Sequence, residues 1–157
     1  MKKIIAITLM AFAGLNLQAG SPKPYFEAPE NKSESLTVGI TFFEGTWAEA
    51  LAKSKEDDKL IFLDAYASWC GPCKRMAAYT FTDEKVGAYF NEHFISYKMD
   101  MEKHAEGPRL SQKYSLTAYP TLYFINSDES VAHQTLGYHD PAKLIAVGET
   151  VTATKKK

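Results

Sequence analysis

The sequence is poor in cysteine and has no excess of charge of either sign. Its 157 residues include two cysteines, Cys70 and Cys73, and 18 basic against 19 acidic residues leave a formal net charge of -1. This balance gives no electrostatic indication of nucleic-acid binding. A disulfide between cysteines so close in sequence closes a very small loop and removes little entropy from the unfolded chain. Structural cross-linking is therefore a poor explanation for the pair.

Long hydrophobic runs are also scarce, and residues 108–157 contain nothing that resembles a membrane span. The run Ile4–Leu17 follows a positively charged start and leads to small residues up to Gly20, which is the pattern of a signal peptide. The sequence therefore predicts a signal peptide over residues 1–19 and export to the periplasm. An uncleaved membrane anchor is the alternative, although the run is shorter than the roughly 20 residues that a spanning helix needs.

The remaining residues divide into a linker and one domain. Residues 20–36 are rich in proline and polar side chains and are predicted to form a flexible linker. Residues 37–157 are enough for one well-packed domain, because 45% of the chain is hydrophobic. Within it, the patterns predict strands over residues 37–43, 59–67, 94–101, 121–125 and 130–136. Helices are predicted to begin at a capping box at Thr46, after Cys70, within residues 82–84, near Pro108 and after Asp140.

Both cysteines are predicted to lie where a buried strand meets the helix that follows it. The apolar run of residues 59–67 has the length of a central strand covered on both faces. A helix N-terminus carries unpaired N–H groups and about half a positive charge, which stabilise a thiolate. Because thiol pKa values fall from about 8.5 toward 7 in such positions, Cys70 is predicted to be a nucleophile near neutral pH.

The neighbouring residues fit thiol–disulfide exchange. Cys73, one helical turn further on, is expected to be more buried than Cys70 and to keep its proton until needed. Pro72 fixes the backbone of the first turn, and Gly71 leaves room for a partner chain. In such an exchange Cys70 attacks a disulfide, and Cys73 resolves the mixed disulfide that forms.

Two segments of the sequence resemble the thioredoxin family. Trp69-Cys70-Gly71-Pro72-Cys73-Lys74 resembles the thioredoxin active site, and Ala118-Tyr119-Pro120-Thr121 resembles the cis-proline loop that faces it. The resemblance covers residues 37–151 and implies an α/β thioredoxin fold, with a central mixed β-sheet flanked by helices on both faces. Residues 80–86 are similar to the C-terminal periplasmic domain of the bacterial thiol:disulfide interchange reductase. The turn of residues 126–129 lacks the glycine common in thioredoxins, which is expected to alter only a turn remote from the thiols.

The resemblance also implies roles for other residues. Asp64 matches the buried acid of thioredoxins and is expected to accept the proton of Cys73, because burial raises the pKa of a carboxyl. Lys98 matches the lysine that holds this carboxylate, although a solvated lysine at a strand edge is an equally good interpretation. The Tyr119–Pro120 bond is expected to be cis and to expose backbone groups of Thr121 to an extended substrate. The predicted substrate-binding residues are Trp69, Gly71, Pro72, Tyr119, Pro120 and Thr121.

The sequence predicts a thiol–disulfide oxidoreductase of the cell envelope that reduces protein disulfides. Gly71-Pro72 is the dipeptide found at the reducing end of this fold family, which favours that direction. The expected partners are disulfide-bonded proteins and a membrane electron donor of the thiol:disulfide interchange type, and the protein is expected to be a monomer. A disulfide oxidase or isomerase is one alternative, and a binding module in which the thiols are incidental is another. A peroxidase is a weaker alternative because there is no additional cysteine.

No cofactor or metal is predicted. The sequence has no nicotinamide-binding fingerprint, so the chain is not expected to draw on NADPH itself. A C-x-x-C pair is half of a zinc site, but zinc needs two more ligands. The four histidines lack finger-like spacing and are expected to be ordinary surface or partly packed residues: His93, His104, His133 and His139.

Overall fold

The computed structural model describes residues 38–155. The predicted signal peptide (1–19) and linker (20–36) lie outside the described residues, so both stay predictions. Five α-helices are present in the described part: α1 Trp47–Glu56, α2 Gly71–Arg75, α3 Glu84–His93, α4 Gly107–Lys113 and α5 Pro141–Lys155. The strands are β1 Leu60–Tyr66, β2 Phe94–Asp100, β3 Thr121–Ile125 and β4 Val131–Leu136. None of the helices described is long and apolar enough to cross a bilayer.

The four strands form one mixed sheet in the order β2-β1-β3-β4. β1 runs parallel to β2 and antiparallel to β3, and β4 is antiparallel to β3. This arrangement confirms the predicted α/β class with a central mixed sheet. Six of the seven residues of β1 are buried, as expected for a strand covered on both faces.

Alternate side chains of β1 enter two hydrophobic clusters on opposite faces of the sheet. Ile61 and Leu63 pack with residues of α1 and α4. Leu60 and Phe62 pack on the other face. Their partners are Met76, which directly follows α2, and residues of α3 and α5. Helices therefore cover both faces, and the face that carries α2 is the one relevant to the cysteines.

Several helix boundaries follow the local signals in the sequence. Thr46 and Glu49 form the predicted capping box, since each side chain accepts a hydrogen bond from the other residue's backbone N–H. α2 continues as a π-helical turn over Met76–Thr80, and α3 begins after the N-cap residue Asp83. The predicted break between these two helices is thereby confirmed.

The predicted strand over residues 37–43 is wrong for its described part. Only Phe42 forms a bridge, which is parallel and pairs with Ser96 of β2. The backbone N–H of Ile40 instead donates to the carbonyl oxygen of Phe81 at 2.7 Å. Because this segment takes its hydrogen bonds from a loop as well as from β2, it does not form a ladder.

The turn of residues 126–129 makes hydrogen bonds to two helices as well as within itself. Glu129 has a φ of +64°, in the left-handed region that favours glycine. Its carboxylate accepts hydrogen bonds from Trp47 Nε1 at 2.6 Å, from two nitrogens of Arg109 at 2.7 and 3.0 Å, and from Lys113 Nζ at 2.6 Å. These contacts connect the turn to α1 and α4. The bonds from Arg109 are the main reason that the pKa of Glu129 falls to about 2.

We predict that Glu129→Gln lowers the free energy of unfolding at pH 7 by about 1–2 kcal/mol, because charge-assisted hydrogen bonds are lost. A carboxyl whose pKa is lowered on folding stabilises the protein above its unfolded pKa and loses this effect as pH falls from 4.5 toward about 2. The free energies of unfolding of wild type and Glu129→Gln, measured with urea, should therefore differ at pH 7 and become equal near pH 2. Glu56→Gln, at a side chain that is 74% exposed, is the control. An equal loss at both pH values would contradict the prediction.

Candidate active site

Cys70 caps the N-terminus of α2, directly after the loop that follows β1. The two cysteines form a disulfide in this structure. The backbone nitrogen of Cys73 lies 3.2 Å from Sγ of Cys70 and donates a hydrogen bond to it. In the reduced protein the same N–H group would face a thiolate on Cys70, which is the favourable arrangement for an anion at a helix N-terminus.

The relative burial of the two cysteines differs from the prediction. Cys73 was expected to be the more buried residue, but each cysteine is 2% exposed in the disulfide-bonded protein. Cys70 is covered because Tyr66 and Tyr119, which are distant from each other in sequence, both pack against the cluster that contains the pair.

Access to the pair is provided by the residues between the cysteines. Gly71 and Pro72 are both exposed. A Cβ atom added to Gly71 would meet no other atom within 4 Å, so the space in front of this residue is open. The structure therefore leaves room for a partner chain at the positions where the sequence predicted it.

Asp64 is a buried carboxylate on β1. It lies on the same face of the strand as Phe62, which packs in one cluster with Met76 at the end of α2. Its side chain is 1% exposed, and Oδ2 is 2.6 Å from Nζ of Lys98, the residue opposite it on β2. Burial raises the pKa of Asp64 above its ordinary value, and the charge of Lys98 opposes this shift only in part.

The second carboxylate oxygen of Asp64 is left without a partner. Oδ1 is buried and accepts no hydrogen bond from any described residue. An unpaired buried oxygen costs free energy, on the order of 1–3 kcal/mol. An oxygen in this condition is well suited to receive a proton, which agrees with the role predicted for Asp64 in deprotonating Cys73. The role itself stays a prediction.

Lys98 is held among aromatic rings as well as by Asp64. Its Nζ lies 4.2 Å from the centroid of Tyr66, 5.3 Å from that of Phe81 and 5.8 Å from that of Phe42. These distances are within the range of cation–π attraction. The geometry favours a fixed partner of the carboxylate over a solvated lysine at the strand edge.

Trp69 and Tyr119 form an aromatic rim beside the cysteines. The Tyr119–Pro120 peptide bond is cis, as the sequence predicted. The rings of Trp69 and Tyr119 meet edge to face with centroids 5.8 Å apart. Trp69 is 67% exposed, and its Nε1 donates to Oε2 of Glu102 at 2.9 Å. The rim is therefore both accessible and fixed in orientation.

Thr121 is less accessible than the other predicted substrate-binding residues. It is 2% exposed and lies at the start of β3, aligned with Ala65 on one side and Leu136 on the other. Its Oγ1 donates to the carbonyl oxygen of Ala118 at 2.8 Å, within the cis-proline loop. Pairing of its backbone with a substrate stays a prediction.

Three contributors to this site were not predicted from the sequence. Tyr66 touches both the cysteine cluster and Lys98, and its position two residues after Asp64 on the same strand was the available signal. Glu102 holds Trp69 and had no sequence signal. The third is the loop after β4, where the N–H of Gly137 donates to the carbonyl oxygen of Pro120 at 2.8 Å.

One expectation about the histidines is wrong. His139 is buried, with 9% of its surface exposed, rather than an ordinary surface or partly packed residue. Its two ring nitrogens lie 3.0 Å from the carbonyl oxygen of Gly137 and 3.1 Å from Oγ1 of Thr135. Over residues 38–155, no group of three or more histidine, cysteine, aspartate and glutamate side chains is arranged to hold a metal ion.

A family model matches most of the described residues. The thioredoxin model matches residues 39–149. The chain belongs to the thioredoxin family. Its C-x-x-C pair is bonded as a disulfide, and Tyr119 of the cis-proline loop packs against this pair.

Individual relatives agree with this membership. Thioredoxin-1 of Drosophila melanogaster is 36% identical over 76 residues, which are 48% of this chain and 65% of that protein. The chain thus spans slightly less than two thirds of that curated relative. A solution structure from Bacteroides thetaiotaomicron, of a protein described as a disulphide-isomerase, is 46% identical with a TM-score of 0.62, covering 71% of this chain and 92% of the other. The C-terminal domain of DsbD from Neisseria meningitidis is 32% identical with a TM-score of 0.55, covering 66% and 90%.

We predict that Asp64→Asn stabilises the oxidised protein increasingly as pH rises. Because burial raises the pKa of Asp64 in the folded state, the unfolded chain releases this proton first, and the free energy of unfolding falls as pH rises above 3.8. Asparagine removes the titration, so the variant should gain about 1–2 kcal/mol over wild type by pH 8 and little near pH 4. Urea unfolding of the two oxidised proteins measures this difference in free energy of unfolding. No thiol titrates in the experiment, because both cysteines are in the disulfide.

The control for this experiment is Asp58→Asn, at a side chain that is 94% exposed. The free energy of unfolding of Asp58→Asn should change between pH 4 and 8 in the same way as that of the wild type. Parallel pH curves for wild type and Asp64→Asn would contradict the prediction.

Proposed function

We propose that this protein reduces disulfide bonds of exported proteins in the cell envelope. The observation that carries the proposal is the position of Cys70, which caps α2 and accepts a hydrogen bond from the N–H of Cys73. Exposed Gly71 and Pro72 and the rim formed by Trp69 give a substrate chain access to that sulfur.

The reaction starts from the reduced protein. The Cys70 thiolate attacks one sulfur of a substrate disulfide, forms a mixed disulfide and releases the other substrate sulfur as a thiolate that takes up a proton. Cys73 then loses its proton, with Asp64 as the acceptor, and attacks the Cys70 sulfur. The second substrate thiol leaves, and two electrons have moved to the substrate. The protein ends with the Cys70–Cys73 disulfide that the structure contains.

Turnover requires a donor that returns two electrons to this disulfide. We propose a dithiol carrier in the membrane, of the thiol:disulfide interchange type. The support is the 32% identity with the C-terminal domain of DsbD, together with the predicted export of the chain. The reducing direction is supported by Gly71-Pro72, the dipeptide typical of the reducing members of the fold.

A second candidate function is disulfide oxidation or isomerisation. It is favoured by the 46% identity with the Bacteroides thetaiotaomicron protein described as a disulphide-isomerase. The chemistry of Cys70 is the same in both cases, and the difference lies in how strongly the reduced state is stabilised. The reduction potential therefore separates the two candidates.

We predict a reduction potential near that of thioredoxin, about -270 mV, when the protein is equilibrated with glutathione redox buffers. The protein should also catalyse the reduction of insulin by dithiothreitol. Cys70→Ser should abolish this catalysis, because a serine hydroxyl cannot attack a disulfide. Cys73→Ala should accumulate mixed disulfides that can be identified by mass spectrometry.

Two outcomes would contradict this prediction in different ways. A potential above about -180 mV, the level of protein disulfide isomerase, would favour the oxidase or isomerase candidate. Equal turnover by wild type and Cys70→Ser would indicate a binding module in which the thiols are incidental.

The location is tested separately, by expressing the full chain in a Gram-negative host. Cleavage after Ala19 should yield a mature protein that begins at Gly20 and is released with the periplasmic fraction, because the segment before it has the pattern of a signal peptide. Intact mass spectrometry of that fraction measures the cleavage. Recovery of the full-length chain in the membrane fraction would favour an uncleaved anchor, and recovery in the cytoplasm would contradict export.

A further inference from the structure

The loop between β4 and α5 is fixed by hydrogen bonds that the dithiol reaction does not use. Oγ1 of Thr80 donates to the carbonyl oxygen of His139 at 2.7 Å. The ring of His139 is held by Thr135 and by the carbonyl oxygen of Gly137. The N–H of Gly137 in turn donates to the carbonyl oxygen of Pro120. The loop is therefore attached both to the cis-proline loop and to the π-helical turn after α2.

This loop presents Tyr138 as a platform for a cation. The guanidinium carbon of Arg75 lies 4.6 Å from the centroid of the Tyr138 ring, within the range of cation–π attraction. Arg75 follows Gly71 by four residues and Pro72 by three along α2, and positions at these spacings are neighbours on one helix face. Arg75 therefore shares a helix face with the exposed positions over which a substrate approaches.

Arg75 has no carboxylate partner within the part of the chain that the structure describes. None of the ion pairs of residues 38–155 includes it. Arg109, in contrast, pairs with Glu106 and Glu129. A guanidinium that is oriented by a ring and lacks an anion is available to bind one, and a carboxylate is the side chain that matches its geometry.

A charged side chain lies on each side of the approach surface. Arg75 and Tyr138 lie on the side of β4, which is one edge of the sheet. Glu102, which holds Trp69, follows β2 at the other edge. A substrate segment crossing the cysteines therefore passes between Arg75 and Glu102.

We propose that Arg75, held on Tyr138, selects substrate segments with an aspartate or glutamate beside the reactive cysteine. The proposal rests on the function proposed above and adds a substrate class to it: disulfides flanked by acidic residues. Arg75 contacts the substrate carboxylate and takes no part in sulfur chemistry. Tyr138 is a positioning residue that acts through Arg75.

The test uses prereduced protein and synthetic peptide disulfides that differ only in Glu, Gln or Lys next to the cysteine, on its N-terminal or C-terminal side. Second-order rate constants are measured by acid quench and mass spectrometry. For one of the two sides, the Glu peptide should react about five-fold faster than the Lys peptide at low salt, as expected for an exposed ion pair. This ratio should shrink toward one in high salt.

Variants separate the role of the charge from general effects on the fold. Arg75→Glu should reverse the order of the Glu and Lys peptides, and Arg75→Gln should bring their ratio close to one. Tyr138→Leu should reduce the ratio less, because the charge remains but its orientation is lost. Lys55→Glu makes the same change of charge at an exposed position on α1, on the other side of the sheet, and should leave the wild-type ratio unchanged.

The Gln peptide distinguishes failure of this inference from failure of the proposed function. If the Gln peptide is reduced but the three peptides react equally, or if Arg75→Glu keeps the wild-type order, the inference is overturned and the reductase proposal stands. If no peptide disulfide is reduced, both are overturned.

Discussion

The hydrogen bond from the N–H of Cys73 to Sγ of Cys70 depends on where β1 ends and α2 begins. β1 is held between β2 and β3, so its position is fixed by ladders on both sides. Pro72 restricts the first turn of α2 and leaves no unused N–H donor there. The loop between strand and helix thus has little freedom, which keeps the Cys73 N–H aimed at the Cys70 sulfur.

The register of the same strand places the buried carboxylate. Successive residues of a strand point to opposite faces, so a shift of one residue in β1 would move Asp64 away from the α2 side of the sheet. Its partner Lys98 lies directly opposite on β2, which is an edge strand. Because the Lys98 side chain remains 28% exposed, its ammonium keeps part of its hydration while it pairs with Asp64. This lowers the desolvation cost of a charge pair in which one partner is fully buried.

The features that were predictable from sequence have local causes. The capping box of Thr46 involves residues three apart, and β3 is a short apolar run with clear ends. The cysteine–strand–helix junction followed from the local sequence pattern, and the cis-proline loop followed from the resemblance to thioredoxins. The predicted strand over residues 37–43 failed because its hydrogen-bond partners are divided between the turn at Phe81 and strand β2, both far along the chain. The burial of Cys70 and of His139 depends on similarly distant contacts, which periodicity and spacing do not report.

The fold separates the thiol chemistry from the surface that a substrate meets. Asp64 and the cysteines are placed by the central strand and the helix after it, where burial restricts change. Of the groups that flank the approach, Glu102 and Tyr138 follow the two edge strands and belong to loops, and Arg75 is an exposed residue of α2. Loops tolerate substitution better than buried strands do. Exposed side chains at these positions can therefore change their charge without disturbing Asp64 or the sulfur geometry, which is a physical route by which one thioredoxin scaffold acquires different partners.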